Sequence, residues 1–141
     1  MGTVPKTRLD KVVKVREKQE EGALGNLANA RASLNRARER LAGAVSKAQS
    51  DGRQRSPIDY WELEDAAHAR ALQAVKAAKE QVVTAETAEA VARAGYTTAH
   101  QQAQVVRRAA DRKKAEIVSS KEKAEQKDLD ELATQRFNTE R

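Results

Sequence analysis

The stretch ALQAVKAAKEQVVTAETAEAVARAGYTTA, residues 71–99, decides the fold. Alanine stands at every seventh position, at Ala71, Ala78, Ala85, Ala92 and Ala99. The complementary register carries Val75, Val82, Glu89, Tyr96 and Ala103. A 3-4 alternation of this kind holds one stripe of an α-helix against a partner. Half of the stripe is only a methyl group deep, so the partner backbone can come close. No proline follows Pro57, and Gly95 is the one glycine beyond it, so nothing obliges the helix to stop.

Towards the N-terminus the same alternation returns. From Leu9 it reads Leu9, Val13, Arg16, Glu20, Ala23, Leu27, Ala30, Leu34, Ala37, Leu41, Ala44 and Ala48. Two stripes, each with an alanine every seventh residue, suit close antiparallel packing. Arg16 and Glu20 interrupt the first stripe, so its N-terminal end is poorly specified by apolar contact alone. Gly22 and Gly25 mark either a soft point or a place where another backbone comes near. Between the two stripes lies a break: Gly52 suits a left-handed helix terminus, Ser56 an N-cap and Pro57 the first helical position.

The expected fold is therefore all-α, a long antiparallel two-helix coiled-coil hairpin. It forms a single unit over 1–141, with a first arm at about 6–50, a turn at 51–57 and a second arm at about 57–138. A hairpin centred on that turn sets Leu9 near Ala99 and leaves roughly 30–40 C-terminal residues unpaired, at equal rise along both helices. The alternative is a bend near residue 70, which would bring the two termini level. Beyond residue 103 the stripe weakens to Val106, Ala110, Lys113, Ile117, Ser120 and Ala124, then slips in register to reach Leu129 and Leu132.

Composition narrows the function classes. The chain is 39% hydrophobic, but alanine dominates that share, so little bulk is left for a globular core. Cysteine is absent, which removes thiolate and disulfide chemistry. No apolar run approaches a membrane span, and the N-terminus lacks an apolar leader, so a cytoplasmic protein is expected. His68 and His100 have no ligand-spaced partners, which argues against a metal, and the commoner state of such a histidine is a solvated helix residue. No phosphate loop and no set of nucleophile, base and orienter can be assembled, so no cofactor and no catalysis are expected.

The net charge is +6, concentrated near the two chain ends. Arg107, Arg108, Arg112, Lys113 and Lys114 alternate with Asp111 and Glu116, and no aromatic platform is interleaved, so nucleic-acid binding is weakly supported. A basic end entering an acidic protein cavity fits better. Tyr60, Trp61 and Leu63 cluster just after the break, either as an apolar plug or as an exposed docking face.

The run Glu125-Gln126-Lys127-Asp128-Leu129-Asp130-Glu131-Leu132-Ala133-Thr134-Gln135-Arg136-Phe137 resembles the closing signature of the flagellar type III export protein FliJ family. In that family the signature is Gln-Lys-x-Φ-Asp-Glu-Φ-Ala (Φ apolar) followed by a basic or aromatic residue. The Leu9-Val12-Val13 opening, the central break and the long basic second helix agree with it and with its injectisome counterparts. The resemblance implies a non-enzymatic stalk whose joined ends enter a hexameric export ATPase, while other parts contact the membrane export gate protein and export chaperones. Its ATPase-facing residues would be Leu9 and Val13 on the first arm, with Arg107, Arg108, Arg112, Lys127, Leu129, Asp130, Glu131, Leu132 and Phe137 on the second. Tyr60, Trp61 and Leu63 would stand nearest the family's gate-contact surface, although their spacing departs from the family pattern. Such a protein is cytoplasmic and reaches the inner membrane through its partners only. The competing readings are a basic coiled-coil protein that binds nucleic acid and a structural coiled-coil dimer.

Overall fold

In the computed structural model residues 6–50 and 61–140 are described, and they form two helices, α1 (Leu9–Gln49) and α2 (Trp61–Thr139). The proposed turn at 51–57, with Gly52, Ser56 and Pro57, lies outside the described residues, as does Tyr60. The protein is an all-α helical hairpin.

A half-formed capping box starts α1. The Thr7 amide donates to the Asp10 carboxylate at 3.0 Å, and the Asp10 amide donates to the Thr7 carbonyl at 3.1 Å, which satisfies donors that a helix start leaves orphaned. α2 runs unbroken from Trp61, through Gly95, to Thr139, so the alternative bend near residue 70 is not made.

By internal contacts the chain divides into a unit spanning Glu21–Thr98 and a terminal unit of Met1–Glu20 with Ala99–Arg141. In the 21–98 unit the core is Leu27, Leu34 and Ala37 from α1 with Ala78 and Val82 from α2. Leu41 and Ala85 pack against the Leu34–Ala37–Val82 cluster. Arg31 meets Glu89 and Arg38 meets Glu86, so the two helices run antiparallel. In the terminal unit Ala103 is 0% exposed and Ala110 is buried, with Leu9, Val13, Ala99, Val106 and Ile117 half-buried around them. Asp10 meets Lys114 and Glu17 meets Arg107, again antiparallel.

The register differs from one centred on the 51–57 turn. Asp10 pairs with Lys114, not with the neighbourhood of Ala99. Charge supplies the reason. A hairpin centred on the break would set Glu89 level with Glu20, two acids on facing stripes. The observed register gives Glu89 to Arg31 and Glu20 to His100 and Arg107. Like charges at close range are destabilising and opposite charges are not, so the shifted register wins. As a result the unpaired end of α2 is shorter than expected: every described residue from Val118 to Glu140 is exposed, while Ile117 is still half-buried.

Two stability predictions arise from this packing. Ala85→Leu will destabilise the protein by about 1–3 kcal/mol, because it overfills a closely packed stripe. Ala88→Leu, on the exposed side of the same helix, will be nearly neutral; thermal melts of the two variants separate them. A Cβ added at Gly25 meets nothing within 4 Å among the described residues, so a methyl group has room there. Gly25→Ala will therefore stabilise α1 by about 0.5–1 kcal/mol, read from urea midpoints.

Candidate interaction surfaces

The polar interruption of the α1 stripe becomes, in the terminal unit, a ladder of bonds between the helices. Lys114 Nζ lies 3.1 Å from Asp10 Oδ1. Arg16 Nη1 donates to Gln102 Oε1 at 2.9 Å. Arg107 donates through Nε to Glu17 and through Nη2 to Glu20, each at 3.3 Å. His100 Nδ1 sits 3.1 Å from Glu20 Oε2, so His100, its side chain 44% exposed, pairs with the facing helix as well as meeting solvent. Apolar contact is sparse here, and directional bonds supply the specificity that the stripe lacks.

These contacts shift the titrations. Asp10 is held below the ordinary aspartate value, first by the hydrogen bond from the Thr7 amide and then by Lys114. For Glu20 the largest single influence is burial, which pushes its carboxyl up; bonds from Arg107 and His100 outweigh it and the net direction is down. Glu89 is held down by its hydrogen bond from Arg93, against burial, with help from Arg31. Arg107 is pushed up, chiefly by its bond to Glu20. A carboxyl whose value falls on folding stabilises the fold above its unfolded value and loses that contribution as the pH drops through the folded one. The melting temperature will therefore hold near neutrality and fall as the pH goes below the ordinary glutamate value of 4.5; scanning calorimetry across that range checks it.

The structure brings some of the sequence candidates together and separates others. Leu9 and Val13 are half-buried under α2 in the terminal unit. Arg107 spends its guanidinium on Glu17 and Glu20, while Arg108 and Arg112 are exposed. Lys127, Leu129, Asp130, Glu131, Leu132 and Phe137 all lie on the exposed end of α2. Leu129, Leu132 and Phe137 are each about three-fifths exposed, and Gln126 Nε2 donates to Asp130 Oδ1 at 3.2 Å. At 100° per residue, Leu129 is turned by about 120° from Ile117 around the helix. The apolar face of this end therefore does not continue the stripe that α1 covers. At the other end of α2, Leu63 is 68% exposed and Trp61 is 42% exposed.

Sequence reasoning missed the Asp10–Lys114 and Glu20–His100 pairs and the buried position of Glu89. The signal was present: Arg16, Glu20 and Glu89 are charged residues on stripe positions of the paired stretch, and each requires a partner. Among the described residues no group of three or more histidines, cysteines or acids is placed to hold a metal. No helix among them is long and apolar enough to cross a membrane.

Such a molecule belongs to the class of coiled-coil hairpin proteins. The family model described as flagellar FliJ protein matches residues 5–141; the chain belongs to that family and is a flagellar export-associated protein. No curated protein and no solved structure matches it significantly.

Proposed function

We propose that the chain is a non-enzymatic stalk of the flagellar type III export apparatus. Its terminal unit inserts into the hexameric export ATPase, and it links that ring to the export gate and to export chaperones. One observation carries the reading: α2 continues beyond its last half-buried stripe residue, Ile117, into an end where every described residue to Glu140 is exposed. Three large apolar side chains, Leu129, Leu132 and Phe137, stand on it. An isolated helix gains nothing from exposing them, whereas a surrounding protein ring can bury them as anchors. Membership of the flagellar FliJ family supports reading that ring as the export ATPase, and the cations between Lys6 and Lys18 and between Arg107 and Lys114 favour encounter with an acidic lumen. Trp61 and Leu63, at the start of α2, are the candidates for contact with the gate. The chain acts on this reading in the cytoplasm, beside the inner membrane.

The test is a pull-down of purified export ATPase by the full chain and by a Leu129→Asp, Leu132→Asp variant. Each aspartate sets an unpaired carboxylate in the buried contact, at a cost of several kcal/mol, so retention should fall to background. Retention equal to the parent would remove this end of α2 from the mechanism.

A further inference from the structure

The first turns of α1 are sorted by charge. Between Lys6 and Gln19 the exposed residues are Lys6, Arg8, Lys11, Val12, Lys14, Val15, Lys18 and Gln19. The two acids of this segment, Asp10 and Glu17, are turned the other way and held by Lys114 and Arg107, as is Glu20 just beyond. Five cations are therefore exposed, with Glu17, its side chain 44% exposed, at the edge of the face and the exposed Glu21 half a turn beyond Gln19. At 100° per residue the set from Arg8 to Gln19 fills a single arc of roughly 160°. Lys14, Lys18 and Lys11 lie along one side of it, and Val15 and Val12 lie beside them. Val12 is 41% exposed and Val15 is 54% exposed.

We propose that this outward face of α1 docks directly on an anionic lipid bilayer, a contact that competes with insertion of the same unit into the ATPase ring and is tested in the absence of the ATPase. Charge complementarity and the make-up of the face commit it to that surface. Four of the five cations are lysine, a point charge on a flexible stem, where recognition of protein carboxylates favours the arginine fork. Lysine stems lie along apolar matter while their ammonium groups reach phosphates. The two valines between them enter the headgroup boundary, as on helices that lie in the membrane surface. No aromatic side chain stands on this face, so bases have nothing to stack upon. A straight helical face about 12 Å long, from Lys11 to Gln19, can touch a plane along its whole length.

The experiment is co-sedimentation of the full chain with phosphatidylcholine vesicles that contain about a third phosphatidylglycerol, against pure phosphatidylcholine. The parent chain should sediment with the anionic vesicles only, and should be released between about 0.05 and 0.5 M salt. A Lys11→Gln, Lys14→Gln, Lys18→Gln variant should bind roughly tenfold or more weakly. A Lys76→Gln, Lys121→Gln, Lys123→Gln control, which loses the same charge elsewhere, should bind as the parent does. Val12→Gln with Val15→Gln should weaken binding at constant charge. Circular dichroism melts of each variant show that it is folded. Binding to pure phosphatidylcholine, equal loss in the control, or unchanged binding by the lysine variant would each overturn the proposal. So would a DNA duplex that strips the chain from vesicles at equal phosphate concentration, since the face would then belong to nucleic acid.

Discussion

Glu89→Lys will lower the melting temperature by roughly 10 °C. Glu89 is 6% exposed; its carboxylate accepts two hydrogen bonds from Arg93 Nη2, at 2.6 and 2.8 Å, and faces Arg31 Nε at 3.5 Å. Lysine would place a third cation between the two guanidinium groups, where the nearest acid, Glu86, already faces Arg38. Glu89→Leu behaves differently. Arg31 and Arg93 are about three-fifths exposed and stay solvated without their partner, while leucine extends the apolar stripe, so the melt should be unchanged or raised. Circular dichroism melts at low and high salt check both. A lysine variant that melts like the parent would show that Glu89 does not stand between the helices in solution.

The second large effect separates stability from function. A chain that ends at Glu125 should melt within about 3 °C of the full protein, because the residues removed are exposed and changes at such sites stay small. On the stalk reading the same chain should lose export ATPase binding altogether, since Leu129, Leu132 and Phe137 go with the deleted end. Pull-downs and melts on one preparation decide it. A large drop in melting temperature would mean that this end packs on its own chain; intact ATPase binding would move the contact elsewhere.

The stripe positions were legible because their cause is local. Alanine at every seventh residue from Ala71 to Ala99, and leucine at Leu27, Leu34 and Leu41, follow from helix geometry alone, and every one of them is buried or half-buried. Register was not legible from the same pattern. Two alanine stripes fit one another almost equally well after a shift of seven or fourteen residues, so apolar matching leaves several registers close in energy. Charge breaks the tie, through Glu89 with Arg31 and Glu20 with Arg107. Those partners are far apart in sequence and become visible only once both stripes are laid side by side. The candidate site divides in the same way. The exposed apolar end of α2 follows from where the stripe gives out, a local property. Arg107 reads as one of a run of surface cations until the register shows which acids it meets.

The bonds of the terminal unit also set an order of assembly. Glu20 and His100 are 80 residues apart in sequence, Arg16 and Gln102 86, and Glu17 and Arg107 90. None of these bonds forms cheaply in an open chain, because a long loop must close before any contact rewards it. Once the shorter-range pairs of the 21–98 unit hold the helices side by side, each further rung fixes only a few residues. Folding should therefore begin in the 21–98 unit, around Leu34 and Val82, with the longer-range bonds of the terminal unit forming afterwards. Thermal opening runs backwards along the same track. The last contacts to close are held by exposed or half-exposed charges, which salt screens, so the chain ends come apart first while the 21–98 unit stays shut. Amide exchange should show this as a gradient along α1, fastest near Leu9 and slowest near Leu34, with added salt speeding only the fast end.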